Sequence, residues 1–126
     1  RGVVLIDPSY EVKLEYSAVP EKLSIAVEKW REGVFMVWYP VLKEGRHRAL
    51  LDGLATQVDG EILACELSLD TGKSGESTLG LHGTGLAIVN PPWRFEASMR
   101  EAGDWLARKF GSSEHAVTWI KHGTRI

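Results

Sequence analysis

The 126-residue chain lacks the features that mark several classes of protein. It has one cysteine, Cys65, and so can form no disulfide within itself. Its 15 Lys and Arg stand against 17 Asp and Glu, so a surface that binds nucleic acid by charge alone is not expected. Its apolar runs are far shorter than the roughly 20 residues of a membrane-spanning helix, and no basic segment followed by an apolar one opens the chain. We therefore expect a cytoplasmic protein without a membrane association.

The residues that are present are typical of one globular α/β domain, with 44% apolar and 25% charged residues. Runs of apolar, β-branched and aromatic residues alternate with stretches in which apolar residues recur every three or four positions. This pattern predicts strands at 3–6, 34–39, 61–69, 84–89 and 115–120, and helices at 20–30, 43–57 and 95–110.

The order of these segments predicts a mixed, mostly parallel sheet with flanking helices. The first strand, helix and strand form a unit that favours parallel strands, and Pro20 suits the first turn of its helix. The Gly-, Ser- and Thr-rich segment 70–83 is predicted to be an exposed loop, which makes the two strands around it an antiparallel hairpin. The last helix is expected to be buried through five apolar residues: Phe95, Met99, Ala102, Leu106 and Phe110.

An acid, a proline and an aromatic residue follow the first strand directly. In open α/β sheets, ligands bind beyond the carboxyl ends of the strands, which is where Asp7 is predicted to lie. The exocyclic amine of adenine is a poor nucleophile and needs acceptors that orient its lone pair. The carboxylate of Asp7 and the carbonyl of Pro8 supply two acceptors, and Tyr10 can stack an extruded base. The alternative is structural: Asp7 caps a turn, Pro8 ends the strand and Tyr10 fills the sheet edge.

Two more aromatic residues, Trp38 and Tyr39, close the neighbouring strand. Parallel strands end at the same edge of a sheet, so both residues are predicted either to wall the base pocket or to form an aromatic edge of the core. The four histidines show no metal-ligand spacing, and Cys65 lies in an apolar strand. No metal site is predicted.

The segment from Asn90 to Trp93 has a similar pattern of polar residue, two prolines and an aromatic residue. Its strand is expected to run antiparallel to its neighbours and to end at the opposite edge from Asp7. We therefore interpret Pro91 and Pro92 as the end of a strand, and we expect Trp93 to pack over the helix that follows.

Four separate strings carry a resemblance to a known family. The segment LIDPSYE resembles the (D/N/S)PP(Y/F/W) motif of amino-methyltransferases that use S-adenosyl-L-methionine. The strings RGVVLIDPSYEVK, VFMVWYPV, GTGLAIVNPPWRFE and AVTWIK are similar, in order and spacing, to the RlmJ family of adenine-N6 methyltransferases of bacterial large-subunit (23S) ribosomal RNA. Together they cover nearly the whole chain.

The resemblance implies a fold, a reaction and a set of site residues. The fold would be the C-terminal half of a Rossmann-like class I methyltransferase, with residues 1–126 as a single domain. Asp7 would be the catalytic acid and contact the S-adenosyl-L-methionine cofactor, Pro8 and Tyr10 would hold the target base, and no metal would take part. The partner would be ribosomal RNA, and a monomer is favoured.

The chain departs from the family pattern at Ser9, which stands where the motif has a second proline but leaves the Pro8 carbonyl in place. The glycine-rich loop that holds the cofactor would precede Arg1, so the chain alone is expected to be inactive. Two alternatives remain: the same chemistry on DNA adenine or a glutamine amide, and a non-catalytic α/β docking module.

Overall fold

The computed structural model describes residues 1–69, 81–111 and 113–123. Within these ranges the chain forms one five-stranded sheet and three helices. In chain order the elements are β1 (Val3–Ile6), α1 (Glu15–Lys29), β2 (Val34–Leu42), α2 (His47–Gln57), β3 (Ile62–Leu69), β4 (Leu81–Val89), α3 (Phe95–Lys109) and β5 (Ser113–Lys121).

The sheet is mixed, as predicted, but it is not mostly parallel. Its strand order is β1-β2-β4-β3-β5, with β1 and β2 parallel and the other three pairs antiparallel. The strands β1, β2 and β3 run in one direction, but β4 lies between β2 and β3 in the opposite direction. The end of β1 therefore lies at the same edge as the end of β2, whereas β4 ends at the opposite edge.

The helices α1 and α2 cover one face of the sheet and form the core with it. The two helices contact each other at Pro20 of α1 and Gly53 of α2. Pro20 is the sixth residue of α1 and fully buried, so its predicted place in the first helical turn is wrong. A Cβ on Gly53 of α2 would lie 2.9 Å from Cγ of Pro20, so only glycine lets the two helices approach this closely.

The helix α3 lies on the other face and is more exposed than predicted. None of its residues is buried, and Leu106 and the following Phe110 are 36% and 58% exposed. Polar contacts help to hold it on the sheet: the Arg100 guanidinium donates to the Val117 carbonyl at 3.1 Å, and the ring of His115 lies 2.6 Å from Asp104. The apolar positions of α3 therefore border a groove above the sheet instead of filling a core.

The element boundaries differ from the prediction at several ends. The helix α2 begins at His47 instead of residue 43, because Gly45 adopts a left-handed turn with φ of 69°. Residues 81–83, predicted as loop, belong to β4, and residues 70–80 of that predicted loop lie outside the described residues. No helix in the described parts of the chain has the length and apolar character needed to span a membrane.

Candidate functional site

Asp7 lies directly after β1, beside the middle of β2. Ile6 pairs with Val37, which places Asp7 next to Trp38, and Trp38 in turn pairs with Leu86 of β4. The side chain of Asp7 is exposed and lines an open pocket with Leu5, Trp38 and Leu86. One carboxylate thus faces solvent against an apolar and aromatic wall, on the same face of the sheet as α3.

Trp38 is held in place by a polar contact of its ring. The indole N–H donates a hydrogen bond to the hydroxyl of Thr84 on the neighbouring strand. A ring fixed at both its backbone and its nitrogen loses little freedom when a ligand packs against it. The structure therefore brings together two of the predicted site residues, Asp7 and Trp38.

Tyr10 lies in the hydrophobic core and not in this pocket. Its side chain is 6% exposed, its hydroxyl donates to the Trp38 carbonyl at 2.6 Å, and its ring centre lies 4.7 Å from that of Tyr16. Burial is the main cause that raises the pKa of Tyr10 above its ordinary value. Its backbone has a φ of 57°, a conformation that turns the side chain away from Asp7 and inward. The free ring face expected for base stacking is therefore absent from Tyr10 in this fold.

Tyr39 is also separated from the pocket, by the alternation of side chains along a strand. It is fully buried on the face covered by α1 and α2, because neighbouring residues of β2 point to opposite faces. Its hydroxyl donates to Glu66 at 2.8 Å, and its ring stacks on that of His47 at 5.7 Å. Burial raises its pKa far above the ordinary tyrosine value. The expectation that Tyr39 walls the same pocket as Trp38 is corrected by this geometry.

Pro8 and Ser9 form the turn after Asp7. The ring of Pro8 is half-buried and borders a groove on the α1 side with Ile6 and Val19. The Ser9 hydroxyl accepts a long hydrogen bond, 3.5 Å, from the Glu11 N–H. Ser9 thus supplies a local contact in the turn that a proline at this position would not make.

The second motif lies at the opposite edge of the sheet, as its antiparallel strand predicts. The side-chain amide of Asn90 donates to the carbonyls of Arg31 and Gly33 at 3.0 and 3.2 Å. The backbone carbonyl of Asn90 accepts a hydrogen bond from the Arg1 guanidinium at 2.9 Å. Asn90 is therefore a structural clamp between β4 and the turn before β2. Trp93 differs from the expectation of a packed ring, because it is 73% exposed.

We also searched the described residues for a metal site and for a reactive nucleophile. The described residues contain no group of three or more His, Cys, Asp or Glu side chains placed to hold a metal ion. Burial raises the pKa of the Cys65 thiol to about 11, so it stays protonated and unreactive near neutral pH. Leu5 and Leu86 are pocket residues that the sequence did not single out, because their place depends on strand pairing.

Comparison with known proteins agrees with the resemblance found in the sequence. A family model described as "Ribosomal RNA large subunit methyltransferase D, RlmJ" matches residues 1–121. The chain belongs to the RlmJ family. Two similar curated proteins carry the name "Ribosomal RNA large subunit methyltransferase J", one from Escherichia coli (strain K12) and one from Haemophilus influenzae. Each is 30% identical to this chain over 123 residues.

The fold also matches that of a solved structure, protein LPL1258 from Legionella pneumophila. The TM-score is 0.82 at 30% identity, and the match covers 94% of this RlmJ-family chain. The chain spans less than half of these proteins, with 43% of each curated relative and 43% of the solved chain covered.

Proposed function

We propose that a protein carrying this chain transfers a methyl group from S-adenosyl-L-methionine to the N6 amine of an adenine in 23S ribosomal RNA. The observation that carries the proposal is the exposed carboxylate of Asp7, which lies directly after a strand and beside the ring of Trp38 in an open pocket. The names of the E. coli and H. influenzae relatives favour ribosomal RNA as the substrate.

Asp7 and Pro8 would hold the amine for the reaction. The carboxylate of Asp7 accepts one N–H of the amine and the carbonyl of Pro8 accepts the other, which turns the nitrogen lone pair away from the adenine ring. Such acceptors stabilise the positive charge that develops on the nitrogen as the new bond forms. The bond from the methyl carbon to the donor sulfur would break as the bond to nitrogen forms, so the donor would leave as a neutral thioether. The methylated amine would then give one proton to water.

The pocket around Asp7 fits part of the proposed cofactor. A carboxylate against the apolar side chains of Leu5 and Leu86 suits a cationic group with hydrocarbon arms. The cofactor, when bound, supplies an electrophilic methyl group. We propose that the other contacts to it come from protein outside this chain, and that residues 1–126 form one domain, the C-terminal part of a Rossmann-like catalytic domain.

The roles that we propose for Trp38 and Tyr10 differ from those expected from the sequence. Trp38 has its ring beside Asp7, so we propose Trp38 as the wall against which the target base packs. Base stacking on Tyr10 would require its ring to leave the core and break its hydrogen bond to the Trp38 carbonyl. We propose instead that Tyr10 is a positioning residue that ties the turn after Asp7 to β2.

The test is methylation of protein-free 23S ribosomal RNA by a chimera in which this chain replaces the matched part of the E. coli relative. Changing Asp7→Asn keeps the shape but weakens the acceptor, and we expect the rate to fall about 100-fold or more. Asp52→Asn, an exposed acid on α2, is the matched control and should keep the rate.

Circular dichroism of each variant separates a loss of chemistry from a loss of folding. An Asp7→Asn chimera that folds and methylates at the unchanged rate would contradict the proposal. Methyl transfer to DNA adenine or to a glutamine amide, with none to ribosomal RNA, would identify the alternative substrates.

A further inference from the structure

A second pocket lies at the edge of the sheet opposite Asp7, at the start of α3. We call it the Trp93 pocket, and its walls are formed chiefly by Glu61, Trp93, Arg94, Glu96, Trp119 and His122. It contains the segment that resembles the amine-binding motif but is separate from the proposed methylation site.

One side of the Trp93 pocket is a large aromatic ring in solvent. Trp93 is 73% exposed, and it follows two prolines whose φ angles are fixed, so its backbone is held in one direction. The Arg94 guanidinium lies 4.2 Å above the ring centre, and Arg94 adopts a φ of 64°, which is uncommon for a residue other than glycine. Arg94 covers one face of the indole, and the exposure of Trp93 leaves the other available.

The other side of the Trp93 pocket is a pair of stacked rings. Trp119 and His122 lie parallel within 4°, with ring centres 4.1 Å apart. The indole N–H of Trp119 donates to Glu96 at 3.1 Å, and Arg100 donates to the same carboxylate at 2.8 Å. The hydrogen bond from Arg100, followed by that from Trp119, lowers the pKa of Glu96. These contacts hold the rings and a carboxylate in fixed positions.

We propose, on the basis of the proposed function, that the Trp93 pocket binds an unpaired nucleobase of the RNA substrate outside the target adenine. Proteins recognise single-stranded RNA by stacking its bases on aromatic and Arg planes and by hydrogen bonds to the base edges. Trp93 and the Trp119–His122 pair supply the planes. The carboxylate of Glu96, which accepts from Arg100 and Trp119, has further lone pairs that can accept from the exocyclic amine of adenine or cytosine. The small polar and aromatic pocket suits a base better than a broad apolar protein surface.

The position of the Trp93 pocket requires a nucleotide different from the target. Asn90 comes four residues after Leu86, the β4 residue in the pocket of Asp7. At the usual rise of a strand this separates the two pockets by about 13 Å along the sheet, and the intervening strands add to the distance. One base cannot occupy both pockets, so the Trp93 pocket would hold a second, flanking part of the RNA.

The test is the affinity of this chain for a short, unpaired, adenine-rich RNA oligonucleotide, measured by fluorescence anisotropy. Stacking of one base predicts that Trp93→Ala weakens binding about 5- to 150-fold, while Trp93→Tyr, which keeps an aromatic plane, restores most of it. Trp105→Ala is the matched control, because Trp105 is 53% exposed and has the Lys109 ammonium 5.5 Å from its ring. This control should bind like the unchanged chain.

Equal affinities of the folded Trp93→Ala and Trp105→Ala chains would overturn the inference, as would equally tight binding of duplex RNA of the same composition. In the chimera, Trp93→Ala should raise KM for ribosomal RNA and leave kcat unchanged. The binding assay contains no methyl donor, so its failure with an active chimera would overturn only this inference. Trp93-dependent binding by an inactive chimera would count against the methylation proposal alone.

Discussion

Asp7 and Tyr10 are three residues apart in the chain, yet they lie in different environments. Asp7 faces the solvent beside Trp38, whereas Tyr10 is buried and bonded to the backbone of the same tryptophan. The left-handed φ of Tyr10 produces this separation, because it reverses the direction in which the side chain leaves the backbone. One short turn thus presents an acid outward and anchors itself inward.

Removing the hydroxyl of a core tyrosine should change the stability differently at Tyr10 and at Tyr16. Tyr10→Phe removes the hydrogen bond to the Trp38 carbonyl and should lower the free energy of unfolding by about 1 kcal/mol. The hydroxyl of Tyr16 is buried with no hydrogen-bond partner among the described residues, so Tyr16→Phe should leave the stability unchanged or raise it. Urea unfolding of the two variants measures the difference, and equal losses would contradict the assigned hydrogen bonding.

At the scale of elements, the end of β4 is joined to the turn between α1 and β2 by a single side chain. The amide of Asn90 donates to the carbonyls of both Arg31 and Gly33, and its φ of 58° lies in a region that Asn and Gly tolerate better than other residues. The segment from Asn90 to Trp93, which resembles the amine-binding motif, therefore has a structural role at this edge of the sheet.

Asn90→Ala is expected to destabilise the fold by roughly 2 kcal/mol, because it removes the two hydrogen bonds and places a Cβ in a left-handed backbone. Asn90→Gly loses only the hydrogen bonds and should cost about half as much. Thermal or urea unfolding gives both values. In the chimera, methylation should survive both changes while the protein is folded, and a folded Asn90→Gly chimera without activity would assign Asn90 to the reaction.

At the scale of the whole molecule, the two faces of the sheet differ in how well they are covered. The helices α1 and α2 bury one face, which contains the core. On the other face α3 lies over the side of β3 and β5, and the edge strand β1 leaves Val3 and Leu5 62% and 65% exposed. The pockets of Asp7 and Trp93 both border this less covered face.

The stability of the molecule should fall in mild acid through His47. Burial lowers the pKa of His47, so the folded state favours the neutral ring, which stacks on Tyr39. Below about pH 6.5 the unfolded chain takes up a proton on this residue before the folded chain does, and the free energy of unfolding decreases until the pH passes the lowered pKa. The stabilising contribution of the neutral ring is complete only above about pH 6.5, the ordinary pKa of the unfolded state.

Urea unfolding of the chain and of His47→Gln at pH 7.5 and 5.5 measures this effect. The loss of stability between the two pH values should be smaller in the variant, because the glutamine side chain does not titrate. An equal loss in both proteins would show that another group causes the acid sensitivity.

The prediction from sequence was most accurate where local pattern decides structure. The alternation of apolar runs and helical periodicity predicted all five strands and three helices, with shifted ends, and the four strings identified the family. The predicted start of α1 at Pro20 was wrong, because α1 begins at Glu15. A proline is tolerated inside this helix because its packing against Gly53 compensates for the lost hydrogen bond.

The sequence alone determined the elements, the family, the place of Asp7 directly after the first strand and the opposite position of Asn90, because each follows from local periodicity, motif or strand direction. Only the tertiary structure decided which aromatic rings share a pocket with Asp7. Trp38 and Tyr39 are adjacent in the chain but lie on opposite faces of the sheet, and one backbone angle at Tyr10 turns its ring into the core. Which face a residue occupies depends on the helices that cover it, and those contacts join parts of the chain that are far apart in sequence.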